Sequence, residues 1–315
     1  APLFLKNHSY GEFIFDQSFA RLAQDLNLAY YPKLIGMSPY SPIEGYQFIY
    51  KENSNKQEIT EILLNYIEVF ATKNNILSCN FLYIDKEWEK LLNEHNYHKW
   101  INIRSQWESI GEENFEEFLN RFNSNQRKNI KKERKSINNQ KIKIKIFTEK
   151  NINEDLMNIM HFFYEQHCLR WGVWGSKYLT DDFFKNSLKT KENLIIFSAF
   201  EETSTKPIAM SMCIKNKENL WGRYWGSLKE INYLHFELCY YQPIEWAIKN
   251  KIKYFDPGAG GQHKRRRGFY AKGTNSLHKW FNNNMENIIV QWLNKVNKET
   301  LNSIQDENNS IPFKK

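Results

Sequence analysis

Between Leu220 and Trp280 the chain concentrates residues able to move protons and to hold an anion. The stretch reads LWGRYWG, then LHFELCYYQPIEWAIKNK, then IKYFDPGAGGQHKRRRGFYAKGTNSLHKW. An amine nucleophile must lose a proton, and His235 or Glu237 is able to accept it, directly or through water. A spacing of two places these side chains on different faces of a helix, so helical spacing alone does not put both in one cleft. The plainer reading is that His235 caps the helix and Glu237 balances its dipole. On the strand before them, Arg223 and Tyr224 face opposite sides of a sheet. One of the two is a candidate donor to a reacting carbonyl or phosphate, and the other packs. Trp225 is a candidate substrate contact.

Two places could hold an anion. A helix beginning near Tyr233 presents free backbone N–H groups, although no glycine-rich phosphate loop precedes it. The turn Asp256-Pro257-Gly258-Ala259-Gly260-Gly261 follows a strand end, where open α/β sheets place ligands. It leads into Gln262-His263-Lys264-Arg265-Arg266-Arg267, so His263, Lys264 and Arg267 are candidate phosphate contacts. An ordinary turn and a solvated basic run are the alternatives.

Hydrophobic periodicity supplies the elements that must position these groups. It predicts strands over Ala1–Lys6, Ile76–Ile84 and Lys99–Trp107, and helices over Phe13–Leu26, Gln57–Lys73 and Glu87–Asn93. Tyr30–Tyr46, rich in proline and glycine, reads as a structured loop or strand edge. One long helix is expected over Glu113–Ile137, basic from Arg127 to Lys135, with Ile130 and Ile137 inward and the cations solvated. Beyond it come a strand at Lys141–Phe147, helices at Glu154–Trp171 and Asp181–Leu188, and strands at Asn193–Phe200, Ile208–Lys215 and Leu220–Gly226. A helix over Tyr233–Lys249, kinked at Pro243, leads to strands at Tyr254–Asp256 and Asn275–Phe281. The polar tail after Val296 is expected to fray. Trp171 and Trp174 suggest an apolar wall. The pattern predicts an α/β protein with a mixed sheet and helices on both faces, its junction near the basic helix.

Composition narrows the class. Lys and Arg number 44 against 36 Asp and Glu, a formal charge of +8, but Lys, Asn and Ile are abundant throughout, so the charge names no partner. Four scattered cysteines, without a CxxC pair, argue against a disulfide framework or a zinc site and for a cytoplasmic protein. The longest apolar runs have strand length, too short for a membrane span. No GxSxG, P-loop, GxGxxG or HExxH pattern occurs, and no covalent nucleophile stands out. Direct attack of a bound acceptor on a bound donor is the chemistry left.

Seven blocks carry a family resemblance: LKNHSYGEFIFD (Leu5–Asp16), YYPKLIGMSPYSPIEG (Tyr30–Gly45), SNQRKNIKKERKSI (Ser124–Ile137), RWGVWGSKYLTDDFF (Arg170–Phe184), GRYWG (Gly222–Gly226), LHFELCYYQPIEWAI (Leu234–Ile248) and HKRRRGF (His263–Phe269). Together and in this order they resemble the N-acyltransferases with a tandem GNAT fold that are related to FemAB-type peptidoglycan enzymes. The resemblance implies an α/β protein of two GNAT-like domains, 1–112 and 113–315, each a mixed central sheet flanked by helices. It implies an acyl donor carried on coenzyme A, an acyl carrier protein or a tRNA, and a peptide or small amine as acceptor; some relatives acylate Lys-like side chains. No metal is expected. Family members have several dozen residues ahead of the APLFLK strand, so the first domain is expected to lack its opening strands. Gln262 stands where an acidic residue is expected.

The leading expectation is a cytoplasmic N-acyltransferase that moves a fatty acyl group from acyl-CoA or an acyl carrier protein to a peptide amine. Glu237 or His235 would be the base, and Tyr224 or Arg223 the oxyanion donor. The donor phosphates would lie near Tyr233 or near Lys264 and Arg267, with His263 beside them. The acceptor would enter near His8, Tyr10 and Glu12. Two other expectations remain: an aminoacyl-tRNA-dependent peptide ligase with its RNA on the basic helix, and a non-catalytic relative that only binds peptide.

Overall fold

A computed structural model describes the chain except residues 93–94, 173–176, 259 and 315 and the Gln262 side chain. The expected roles of Asn93, Trp174 and Ala259 thus lie outside the described residues. In chain order the elements are β1 (Phe4–Lys6), α1 (Gln17–Asp25), β2 (Lys33–Gly36), α2 (Lys56–Lys73), β3 (Ser78–Phe81), α3 (Lys86–Leu92), β4 (His98–Glu108), α4 (Phe115–Asn120), α5 (Ser124–Asn139) and β5 (Ile142–Phe147). There follow α6 (Glu154–Arg170), α7 (Asp181–Ser187), β6 (Leu194–Glu201), β7 (Pro207–Lys215), β8 (Asn219–Ser227), α8 (Leu234–Phe236), α9 (Gln242–Lys249), β9 (Tyr254–Asp256), β10 (Tyr270–Trp280) and α10 (Asn283–Asn309).

The chain forms two compact units. One comprises Ala1–Ile103 with Lys272–Asp306, the other Arg104–Ala271 with Glu307–Lys315. The division therefore differs from the expected 1–112 and 113–315. The boundary falls inside β4, and the chain returns to the first unit through β10 and α10. In the first unit the strands run β1-β2-β3-β10-β4. β2 and β3 are parallel, whereas β1 with β2 and β3 with β10 are antiparallel. In the second unit the order is β4-β9-β8-β7-β6-β5, with β8 and β9 parallel and the other neighbours antiparallel.

The inner strands β6 and β7 are buried on both faces, which is why they read as apolar runs and not as alternation. In β6, Ile195 and Phe197 join the cluster that also takes in Phe118, Ile130 and Ile244. Leu194 and Ile196 join the opposite cluster, with Met157 and Phe163 of α6 and Phe184 of α7. The first unit does the same in β2, where Leu34 and Ile35 enter different clusters.

Two stretches fold otherwise than expected. The long helix over 113–137 is two helices: the chain breaks at residues 121–123, and the Asn123 side chain caps α5 by accepting from the Gln126 N–H at 2.9 Å. The expected frayed tail is helix to Asn309. Met285, Ile289 and Leu293 bury one stripe of it. Farther on, Asn308 accepts from the Ala271 N–H at 2.7 Å and donates to its carbonyl at 3.0 Å. Packing and side-chain bonding outweigh the polar composition that suggested disorder. Among the described residues no helix is long and apolar enough to cross a membrane.

Candidate functional site

β8 is longer than the strand beside it. It pairs with β7 along its length, from Ala209↔Ser227 to Lys215↔Leu220, but with β9 only over Asn219–Trp221. From Gly222 onward its other edge has no strand partner among the described residues. Gly226 lies where α6 crosses: a Cβ there would sit 2.0 Å from the Phe163 carbonyl oxygen, so only glycine allows this approach.

The chain leaving β9 presses back on this opening. Asp256 Oδ1 accepts from the Gly258 N–H at 2.8 Å, and Gly258 takes φ +91°, which favours glycine. Arg223 donates to the Gly222 carbonyl at 2.8 Å and reaches Asp256 Oδ2 at 3.4 Å. Its Nε is buried without a hydrogen-bond partner. Lys264 donates to the Gly258 carbonyl at 2.7 Å. Burial pulls its ammonium down to about 8, against the attraction of Asp256.

Beside the opening sits an aromatic group built on the chain after β8. Tyr233 takes a left-handed backbone conformation, φ +69°, and starts the short α8. The expected kink at Pro243 is instead a π-helical segment, Glu237–Tyr241, upstream of it. Pro243 lies in the first turn of α9, where its missing N–H costs nothing. In α-helix, residues three or four apart share a face. The i→i+5 bonding of the π segment turns residues five apart toward one another. His235 and Tyr240 accordingly lie with ring centroids 5.2 Å apart. Trp225 packs on His235 at 5.2 Å, and His263 lies 6.2 Å from it. Tyr240 Oη and His263 Nε2 share a hydrogen bond of 2.9 Å. Burial, then His263 and Lys264, hold the His235 imidazole down to about 4, so it is neutral at physiological pH. Burial, with Arg267 and Lys264, also lowers His263, and burial raises the Tyr240 phenol well above its usual range.

The other expected site residues of this unit lie elsewhere. Glu237 is on another face from His235, buried, and accepts from Arg134 at 3.0 Å and from Gln242 at 2.8 Å. Its carboxylate is held by α5, apart from the histidines. Tyr224 packs among Tyr164, Phe183 and Phe184 on the α6–α7 face. The basic run is no open anion site. Lys264, Arg265 and Arg267 are buried, and of the four cations only Arg266 is exposed. Arg265 pairs with Glu307 at 2.7 Å. Arg267 pairs with Glu133 at 2.9 Å and lies 3.4 Å over the Phe236 ring. Buried cations need partners, and these partners come from distant stretches of the chain. Sequence reasoning singled out neither Tyr240 nor Asp256 for this site; a π segment has no local signature.

In the first unit, His8 and Tyr10 pack at 5.2 Å, with Tyr10 68% exposed. A cavity of about 320 Å³ is lined by Lys6, His8, Gly11, Ile35, Met37 and Tyr40 among others. Glu12 is instead buried against Lys33 at 2.8 Å and Lys6 at 3.1 Å. Lys33 also holds Asp16, to which Tyr30 donates at 2.6 Å. Burial alone would raise the Asp16 carboxyl; Lys33 overrides it and keeps it low.

Two units, each a mixed sheet flanked by helices, and in the second a strand that outruns its parallel neighbour, define a protein of the tandem GNAT-like class. The chain belongs to the FemAB-like family, described as peptidoglycan biosynthesis/recognition, whose profile matches residues 1–315. Among solved structures, L-PGS from Bacillus licheniformis is similar at 9% identity over 84% of this chain and 84% of that one, with a TM-score of 0.57. The C-terminal domain of a protein from Agrobacterium fabrum described as a lysylphosphatidylglycerol synthetase is 8% identical over 76% of this chain and 78% of its own, with a TM-score of 0.51. FemX is 11% identical over 92% of this chain and 100% of its own, with a TM-score of 0.49. At such identities the likeness concerns the fold. No curated protein matches the sequence.

Proposed function

We propose that this chain is an N-acyltransferase of the cytoplasm, moving an acyl group, fatty in the leading reading, from a thioester of coenzyme A or an acyl carrier protein to a primary amine of a peptide. The observation that carries this reading is the unpaired edge of β8 beside a neutral histidine, a protonated tyrosine and a buried arginine N–H without an acceptor. The donor would lie along that edge from Gly222, its phosphates toward the turn at Tyr233. The acceptor amine attacks the thioester carbon, the C–N bond forms, and the C–S bond then breaks. His235 takes the proton from the nitrogen. Arg223 Nε donates to the oxyanion, Tyr240, backed by His263, donates a hydrogen bond to the departing thiolate, and the proton held by His235 passes to the sulfur to give the thiol. His8 and Tyr10 remain candidate acceptor contacts in the first unit, with Trp225 against the substrate in the second. Glu237 has a structural part in this scheme.

A second reading uses an aminoacyl group carried on tRNA. Family membership and the lysyl product in the name of the Agrobacterium neighbour favour it, as do the exposed cations of α5, Lys128, Lys131, Lys132 and Lys135. One experiment separates the readings: intact-mass analysis of Lys-containing peptides after incubation with a mixed acyl-CoA and acyl-carrier pool, and in parallel with charged tRNA. The expected result is a fatty-acyl mass on a peptide amine from a thioester. Transfer from charged tRNA alone establishes the second reading, and binding without any transfer a non-catalytic relative.

A further inference from the structure

We propose that the free edge of β5 is a docking groove for an extended acidic peptide, which joins the sheet of the second unit as an added strand. This deepens the peptide-acceptor reading above and rests on it for its biological meaning. β5 ends the strand order, and among the described residues its six residues pair on one side only, with β6. In such a strand every second residue turns its N–H and C=O outward, away from the ladder. Two cavities, of about 710 and 510 Å³, continue each other along it. The first is lined by residues 142–145, the second by Ile146 and Thr148, and both include Arg134 and Gln242. The groove therefore follows the whole strand, ~20 Å at about 3.3 Å per residue, with α5 as one wall.

Charge selects the occupant. The two linings together carry six cations and three carboxylates, net +3. The carboxylates are engaged: Glu237 and Glu245 with Arg134, and Glu116 with Lys131. Lys135, Lys143 and Lys145 are exposed around the groove, Lys143 within 3.7 Å of the exposed Glu202 and Lys145 over the Phe200 ring. A second copy of this chain would set Lys143 and Lys145 against lysines, and like charges across a strand pair destabilise it. A strand of opposite sign gains where a copy loses. Along β5 the isoleucines face one side, with Ile142 in the core cluster and Ile146 40% exposed, and Lys143 and Lys145 face the other. The matching peptide alternates acidic with apolar residues. Held there by main-chain bonds, it keeps the rest of its chain at high effective concentration near the enzyme.

The test is fluorescence anisotropy with a fluorescein-labelled hexapeptide of alternating glutamate and valine, using the full chain. The expected result is saturable binding, weakened about tenfold or more by Lys143→Glu with Lys145→Glu. Methylating alternate backbone nitrogens of the probe, which keeps its charge and removes its donors, should weaken binding to the unaltered protein by a similar factor. Equal binding of the methylated probe, or no binding below about 1 mM, overturns the proposal. So does tighter binding of a single-stranded RNA oligonucleotide that the same two substitutions abolish. Acyl transfer is not read in this assay, so failure of the groove and failure of the transferase reading appear separately.

Discussion

The two units bury ionisable groups to different ends. In the first, Lys33 binds Glu12 and Asp16 together and Tyr30 closes on Asp16, although Glu12 Oε1 and Asp16 Oδ1 keep no hydrogen-bond partner. In the second, the Arg223 N–H lacks an acceptor, a neutral His235 stands among aromatic rings, and β8 has an unpaired edge beside them. A closed ion cluster holds a fold in register. Donors left without acceptors in a polar pocket are what a reacting carbonyl needs. Buried polar atoms without partners occur in both units, so neither burial nor an unsatisfied atom alone marks a site; the unpaired edge of β8 is what sets the second apart.

The sharpest way to break this contrast is Lys33→Met. It leaves two buried carboxylates with little compensation and should cost about 3–5 kcal/mol, read as a shifted urea midpoint. His235→Gln should cost far less stability but lower kcat by about 10²–10⁴, measured with the peptide-acylation assay. If the Lys33 variant is as stable as the His235 variant, the contrast fails. A smaller effect comes from pH. His278, buried in the first unit and held by burial at about 3, and His235, at about 4, both titrate below the unfolded value near 6.5. The unfolded chain takes up these protons first, so stability falls as pH drops from about 6.5 toward 4. Each histidine contributes about 2–3 kcal/mol by pH 4.5, and each should lose its share of the slope in the corresponding Gln variant under chemical denaturation. The smallest effect is expected of Glu237→Gln: about 1–3 kcal/mol of stability from weakened Arg134 bonding, with kcat within about fivefold of the parent. A collapse of kcat at unchanged stability would return Glu237 to the role of base.

Local pattern made most elements legible. The β6–β7–β8 series and the helix after it stand where apolar periodicity placed them, and Ile130 and Ile137 turn inward from α5 with most of its lysines outside. What stayed illegible depends on partners far along the chain. Lys33 reads as an ordinary surface lysine until Glu12 and Asp16 are beside it. Lys264–Arg267 reads as a solvated run until Glu133 and Glu307 arrive. The break before α5 was visible in principle, since Asn123 stands three residues before Gln126 in a capping pattern. In the site, the nearness of His235 and His263 joins two segments that follow one another along the chain; Tyr240, which depends on the π segment, was not legible.

The late return of β10 has a consequence for biosynthesis. β10 is an inner strand of the first unit, beside β3, which ends at Phe81, while β10 begins at Tyr270. At about 5–20 residues per second a ribosome takes about ten to forty seconds to cover that interval. During it Ala1–Phe81, though made before β10, has no inner strand to close on, and the uncovered side of β3 is an adhesive edge. Most of the second unit, Arg104–Ala271, is complete before β10 is made, and only Glu307–Lys315 joins it later. Dependence on chaperones should therefore concentrate on Ala1–Ile103 while it waits for β10.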